Sequence, residues 1–316
     1  MSARSRFATA VVPTLGRSPW LRACLEALGA QEGGLEIVLV IQGPVGPEVD
    51  AAATLADRVL RRPINEGFAA ANNLAIAATR GDLVATVNDD AVVEPGWLAA
   101  LRDALDGSDG SIAAVQGVNL MAERPDLADG CGLAWNRRWQ AVQIGHGHPA
   151  PPPDAPATEI FGVSATAALY RRDALEALGG EPFDRELFAY YEDVDLACRL
   201  RGAGLSARLV PAARARHAGS VTGRELSRSQ VPFIYGNRQL VLARFLGRAF
   251  WPRLPIVWRA DAVDLARSVR RRDGRTFGIV AGWLRAVWRL PLYGHLSRPV
   301  VPPREIARSR DDPSTD

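Results

Sequence analysis

The feature that most constrains this chain is an alternation of short, almost wholly apolar runs with segments of helical period. Phe7–Pro13 is β-branched and ends in proline; Leu35–Ile41 and Leu83–Val87 are near-continuous apolar runs. A strand apolar on both sides must be covered on both sides, as inside a parallel sheet. Between these runs, Arg17–Ala30 repeats apolar residues at Trp20, Leu21, Cys24, Leu25 and Leu28, one face of a helix. Gly67–Thr79 predicts an alanine-rich helix, and Pro95–Leu105 another with proline near its first turn. This order predicts βαβ units and an α/β fold with a mostly parallel central sheet flanked by helices.

Ligands of such sheets gather at the carboxyl ends of the strands. The residues to examine are therefore Pro13-Thr14, Gln42-Gly43 and Asn88-Asp89-Asp90. Further along, His146–Ala157 is too rich in glycine and proline for regular structure and reads as a loop over the active face. Phe161–Tyr170 predicts a strand, Glu192–Arg201 a helix and Ala207–Val210 a strand, with His217 following. From about Ser227 the pattern changes to amphipathic helices, over Val231–Arg248, Leu254–Arg272 and Phe277–Arg289. The expected organisation is a folded domain over 1–225, divided near residue 120. A basic helical segment over 226–300 and a disordered tail over 301–316 follow.

Composition removes several classes of function. All 38 basic residues are arginine and none is lysine. That excludes the Walker A loop and Schiff-base or pyridoxal-phosphate chemistry, each of which needs a lysine amine. Three scattered cysteines, Cys24, Cys131 and Cys198, do not make a disulfide scaffold or a cysteine zinc site. Together with the lack of a signal-peptide pattern or a membrane-spanning apolar run, they lead to an expectation of a reducing, cytoplasmic setting. The net charge of +3 is uneven: Arg224–Arg310 holds 18 arginines and 5 acids, a balance of +13 that leaves about −10 for the rest.

Several clusters carry chemistry. Adjacent carboxylates at the end of a buried strand, Asp89-Asp90, repel unless hydrated or bound to a divalent cation; an Asp-rich turn capping the next helix is the structural alternative. Glu192-Asp193-Val194-Asp195 puts three acids at a helix start, where the helix dipole also favours them. The aromatic run before it suggests that at least one is partly desolvated, which suits a general base. Asn65-Glu66-Gly67-Phe68 fits a helix N-terminus that could cap or present amides to an anion.

Taken in order, Val-Val-Pro-Thr at 11–14, Asn-Glu-Gly-Phe-Ala-Ala-Ala-Asn-Asn at 65–73, Gly-Asp-Leu-Val-Ala-Thr-Val-Asn-Asp-Asp at 81–90, Phe-Ala-Tyr-Tyr-Glu-Asp-Val-Asp-Leu at 188–196 and His217 resemble a family-2, inverting GT-A glycosyltransferase. The likeness is closest to bacterial rhamnosyltransferases and galactofuranosyltransferases of cell-surface polysaccharide synthesis, and it covers roughly residues 7–223. The resemblance implies Asp193 as catalytic base with Glu192 its acidic neighbour, and Asp90 and His217 as ligands of Mg²⁺ or Mn²⁺. It implies nucleotide-sugar contacts at Pro13, Thr14, Gln42, Asn65, Gly67 and Asp89, and makes 1–225 the catalytic domain, with a nucleotide-sugar half over about 1–120 and an acceptor half over about 121–225. The implied donor is a nucleoside-diphosphate sugar such as dTDP-rhamnose or a UDP-sugar, and the acceptor a glycan or lipid-linked hydroxyl. Two departures stand out: Leu15-Gly16 where the family has an aromatic and Asn, and Gln42 where it has Asp. A sugar-phosphate nucleotidyltransferase and a non-catalytic nucleotide-binding scaffold are the alternatives.

The C-terminal helices carry Phe233, Leu240, Phe245, Trp251, Trp258, Trp283 and Trp288 among arginines, half of the chain's eight tryptophans. Basic, Trp-bearing amphipathic helices without spanning length predict a peripheral membrane surface, on the inner face of the cell membrane. The competing expectation is packing on the catalytic domain or on a second subunit as a homodimer. No zinc spacing or aromatic RNA-binding signature points to nucleic acid.

Overall fold

The structure, a computed structural model, describes residues 7–108, 110–219, 221–272 and 274–290, with backbone only for 221–229. The expected tail over 301–316 lies outside the described residues. The strands are β1 (Ala8–Thr14), β2 (Leu35–Gln42), β3 (Arg58–Arg62), β4 (Leu83–Val87), β5 (Ala91–Val93), β6 (Ile112–Met121), β7 (Arg124–Gly130), β8 (Leu133–Trp135), β9 (Ala141–Gln143), β10 (Thr158–Ile160), β11 (Ala167–Arg171) and β12 (Ser206–His217). The helices are α1 (Leu21–Gly29), α2 (Pro47–Ala53), α3 (Phe68–Ala77), α4 (Trp97–Asp106), α5 (Arg172–Ala177), α6 (Glu192–Gly202), α7 (Val221–Leu246), α8 (Leu254–Arg271) and α9 (Thr276–Val287).

The main sheet runs β10-β12-β6-β11-β4-β1-β2-β3, with β5 on β12 and β7 on β6. Strands β3, β2, β1 and β4 are parallel; β1, β2 and β4 are the predicted apolar runs, and β3, with three arginines in five residues, is an edge strand the pattern did not give. β11 then enters antiparallel between β4 and β6, and β12 pairs parallel with β6. Two strand predictions are revised. The strand expected over Phe161–Tyr170 is irregular until Ala167, and the one expected over Ala207–Val210 continues to His217. β12 is long because it shifts register against β6 between Leu209 and Arg214. Gly117 permits this: a Cβ there would lie 2.2 Å from the Ala213 carbonyl oxygen.

Apolar residues from α1, α2 and α4 fill one face of the sheet, and those from α3, α5 and α6 the other. A third core joins Trp135, Trp139, Tyr191, Val194 and Cys198 to Leu240, Phe245, Leu246 and Phe250. The C-terminal helices are thus a further layer of the same body. Leu240 and Phe245, read as candidates for a membrane surface, are buried in this core, and Phe233 and Trp283 are half-buried. α9 approaches α7 through small residues: a Cβ on Gly282 would lie 2.9 Å from the Pro232 carbonyl oxygen.

Arg238 of α7 and Asp261 of α8 form a fully buried ion pair, and Trp283 of α9 donates to the same carboxylate at 2.8 Å. Removing one member of such a pair leaves a charge without compensation. Arg238→Ala should therefore lower stability by about 3–5 kcal/mol, read by urea denaturation.

Candidate active site

Two chain crossings build the site. In the first, β5 follows the Asn88-Asp89-Asp90 turn directly and pairs with the end of β12, with Ala91 opposite His217. The Ala218 amide closes the join by donating to the Asp90 carbonyl at 3.0 Å. Sheet register alone therefore sets His217 beside Asp90, with Nε2 3.1 Å from Asp90 Oδ1. Its other nitrogen, Nδ1, lies 2.7 Å from Asp129 Oδ2 of β7. Burial on its own would lower the His217 pKa, but the hydrogen bonds to Asp129 and Asp90 outweigh it and raise it to about 10. Asp129 belongs to no motif that sequence reading could detect; strand pairing of β6 with β7 brings it in. His146, in the loop expected to cover the active face, places Nδ1 2.8 Å from the Asp129 carbonyl oxygen.

Thr14 and Asp89 meet at the ends of β1 and β4, where Thr14 Oγ1 donates to Asp89 Oδ2 at 2.5 Å. Pro13 has no N–H to give a ladder, and it lies just past the last β1–β4 pair, Val11 with Thr86. Ser18 Oγ adds a bond to the Asp89 carbonyl at 3.0 Å. Burial, with Asp90 nearby, pushes the Asp89 carboxyl up to about 6 despite the Thr14 bond.

The second crossing brings Glu192 and Asp193 to the site at the start of α6. The preceding segment is strained. Phe188 has φ 63°, Tyr190 φ 67° and Tyr191 φ 71°, three of the five non-glycine residues with positive φ among those described. Phe188 is the centre of a γ-turn, with the Ala189 amide donating to the Leu187 carbonyl at 2.7 Å. Each such residue costs about 1–3 kcal/mol and persists only where its surroundings enforce it.

The three acids of this helix start have separate surroundings. Asp195 is fully buried and pairs with Arg199 at 2.8 Å and Arg244 at 2.8 Å, a structural commitment that removes it as a base candidate. Asp193 remains partly exposed, and its oxygens accept from the amides of Val194 at 2.8 Å and Ala165 at 3.3 Å. Burial raises its pKa, opposed by those amides. Glu192 is buried, has Oε2 without a partner, and is pushed well up by burial and by Asp193. The Tyr190 phenol is pushed up to about 12, by burial first and then by the carboxylates of Glu192 and Asp90, so the two acidic groups act on one residue.

The remaining residues expected to contact nucleotide are tied to neighbours. The Gln42 side chain accepts from the Glu66 amide at 2.9 Å, and Asn65 Oδ1 from the Gly67 amide at 2.9 Å. The N-terminal amide of Ala69 on α3 is given to the Phe188 carbonyl at 3.2 Å, so at least one amide of this helix end serves the Phe188 segment. Asn73 bonds both ways with Phe183, a structural role.

A family model described as glycosyl transferase family 2 matches residues 9–179, more than half of the chain, and the protein belongs to that family. A pre-mycofactocin glycosyltransferase of Mycobacterium tuberculosis is 28% identical over 215 residues, covering 67% of this chain and 43% of the relative. The chain spans less than half the length of the curated relatives it matches. Two solved structures share the fold. One is the mannosyltransferase PcManGT of Pyrobaculum calidifontis, in complex with GDP-Man and Mn²⁺, with TM-score 0.56, 17% identity, and 90% of this chain and 88% of that one covered. The other is GalNAc-T7 with UDP, GalNAc and Mn²⁺, with TM-score 0.56, 16% identity, and 67% and 44% covered. The GT-A architecture with a C-terminal helical region is therefore the fold of this protein.

Gly67 is where α3 meets the strained segment. It has φ 96°, and a Cβ would lie 2.6 Å from the Phe188 carbonyl oxygen. Gly67→Ala should cost about 1–3 kcal/mol of stability, measured by denaturant midpoint, since both backbone and neighbour must shift.

Proposed function

We propose that the protein is an inverting glycosyltransferase that moves a sugar from a nucleoside-diphosphate sugar to an acceptor hydroxyl, with Asp193 as the general base. The observation that carries this reading is the difference between neighbours on one helix turn. Burial raises the pKa of both carboxyls, but Asp195 is held by two arginines, whereas Asp193 is partly exposed and has no cationic partner among the described residues. A carboxylate of that kind accepts a proton near neutral pH more readily than an ordinary one. The acceptor oxygen attacks the anomeric carbon, its proton passes to Asp193, and the bond to the diphosphate breaks as the nucleotide leaves. One displacement inverts the centre and needs no nucleophile from the enzyme.

Asp90 and His217 fit a divalent cation: a carboxylate oxygen and an imidazole nitrogen converge, and Asp129 on Nδ1 is the outer partner that orients a ligating histidine. Among the described residues no group of three or more metal-ligating side chains converges, so phosphate oxygens would complete the coordination. When bound, Mg²⁺ or Mn²⁺ supplies charge stabilisation for the departing diphosphate. Thr14, Asp89 and Gln42 would face the nucleotide, and the resemblance to rhamnosyl- and galactofuranosyltransferases favours dTDP-rhamnose or a UDP-sugar. Family membership weighs against the nucleotidyltransferase alternative.

The test is hydrolysis and transfer with a panel of UDP-, GDP- and dTDP-sugars, with Mn²⁺, Mg²⁺ or chelator. Turnover should require the cation, and Asp193→Asn should lose about 10²–10⁴-fold with thermal stabilisation by the donor retained. Full turnover in chelator would reject the metal assignment, and an unimpaired Asp193→Asn enzyme would reject the base.

A lipid-linked acceptor at a membrane surface is the location we favour, with contact confined to the outer face of α8 and α9. α9 turns Gly278, Ile279, Gly282 and Ala286 inward and leaves large apolar side chains on its outer face: Phe277 is 82% exposed, Leu284 58% and Trp288, just past the helix, 82%. Val280 and Val287 lie on the same exposed face. Arg270, Arg271, Arg272 and Arg275 cluster at the α8–α9 turn, and Arg267, Arg271 and Arg275 line a cavity of about 200 Å³ with Asp264, Tyr235 and Ser268. Among the described residues no helix is long and apolar enough to cross a membrane. Each arginine near an anionic leaflet contributes about 1 kcal/mol, weakened by salt. The full chain should co-sediment with phosphatidylglycerol vesicles and not with neutral ones. The triple variant Phe277→Ser, Leu284→Ser, Trp288→Ser should lose that binding with its fold intact; undiminished binding would reject this face.

A further inference from the structure

α7 touches the segment that leads into Glu192 and Asp193. Asn237, fully buried, sets Nδ2 2.8 Å from the Leu187 carbonyl oxygen, 3.0 Å from that of Ala189 and 2.8 Å from that of Tyr190. Only the nitrogen of an asparagine side chain can donate, so three converging carbonyls fix which way the amide points. These carbonyls belong to the segment with the γ-turn at Phe188 and the left-handed Tyr190 and Tyr191. One helical turn earlier, the Phe233 ring stacks on Phe188 with centroids 5.2 Å apart and planes at 18°. Two turns later, Arg244 reaches Asp184 at 2.7 Å and Asp195 at 2.8 Å. One helix therefore grips the segment before, within and after its strained stretch.

We propose that Asn237 is a positioning residue: its amide clamps the Leu187–Tyr191 segment and thereby sets where Glu192 and Asp193 stand. The transmission is short. The Tyr191 carbonyl accepts the Asp195 amide at 2.8 Å in the first turn of α6, so the clamped segment and the helix start are one covalent and hydrogen-bonded unit. A displaced γ-turn moves Asp193 with it, and reaction rates fall steeply with such misplacement. The carbonyls of Leu187, Ala189 and Tyr190 cannot be served equally well by a carboxylate, which has no donor when ionised. The proposal rests on Asp193 being the base, but the clamp itself is measurable without turnover.

The test uses the full chain as wild type and as Asn237→Ala, Asn237→Asp and Asn237→Ser. Asp261→Asn, which loosens the ties of α7 to α8 and α9 away from the segment, is the control. Hydrogen exchange of amides 187–195 should quicken about 10-fold or more in the Ala and Asp variants, with the sheet amides unchanged. With the nucleotide-sugar turned over in the panel described above, kcat should fall about 10²-fold while donor KM stays within about twofold. Asn237→Ser, which keeps one hydroxyl donor, should recover part of both, and it carries the comparison if Asn237→Ala does not fold. Asp261→Asn should lower Tm without changing kcat. Unchanged exchange in the Asn237 variants would overturn the clamp, and so would an equal kcat loss in Asp261→Asn at matched Tm. If the wild type turns over none of the panel, the glycosyl-transfer reading fails while the exchange measurement still decides the clamp.

Discussion

The structure is organised around carboxylates held at the meeting of two half-sheets with too few cations to neutralise them. A buried carboxylate without a counter-charge is driven toward its protonated form. Burial pushes Asp195 up as well, but Arg199 and Arg244 oppose it with full charges. Among the described residues Asp89 and Asp193 are met by hydroxyl and amide donors, from Thr14, Ser164, Val194 and Ala165, and Glu192 keeps an unpartnered oxygen. Their raised pKa values follow from that imbalance. Arginines are plentiful in this chain, so their concentration away from these acids, at the α8–α9 turn, leaves the site able to respond to a proton or an added cation.

The half read as nucleotide-binding was legible where its strands, β1, β2 and β4, are apolar and doubly covered, and illegible at the arginine-rich edge strand β3. Leu35–Ile41 and Leu83–Val87 announce themselves as apolar runs, and the polar residues ending each run mark the site edge. Position marked the Asn88-Asp89-Asp90 turn and the acidic helix start at Glu192–Asp195 as candidates, and the resemblance of their motifs to a known family singled out Asp90 and Asp193. The acceptor half was harder. β12 runs through Pro211 and a register shift, and only its pairing with β6 over a distance of many residues makes it one strand. The link between Asp90 and His217 depends on β5 turning back against β12, which periodicity cannot express. Asp129 was invisible for the same reason: its importance comes from a strand neighbour.

Gly67, Asn65 and Gln42 show a second kind of illegibility. Their residue types fit a nucleotide-facing loop, and their bonds in this structure run to Glu66, Gly67 and the Phe188 segment. A sequence motif reports which backbone shapes are needed, and the same tight turn serves ligand approach or a neighbouring carbonyl equally. The glycine at the start of α3 lets the Leu187–Tyr191 segment sit against that helix.

The C-terminal helices resist a pattern reading because both of their faces are apolar for different reasons. In a helix that only packs on a core, the large side chains turn inward. In α9 the inward positions are Gly278, Ile279, Gly282 and Ala286, three of the four small, and Phe277, Leu284 and Trp288 point out. Small residues let the backbones of α7 and α9 approach closely, so α7 is held firmly from behind while its front face presents Phe233, Asn237 and Arg244 to the catalytic segment. Phe233 also lies under the Arg285 guanidinium of α9 at 4.9 Å, and Arg285 bonds the Glu186 carbonyl at 2.8 Å. The outermost helix is thus one layer removed from the strained turn, and whatever surface its large side chains meet bears on a helix that already grips the segment carrying Glu192 and Asp193.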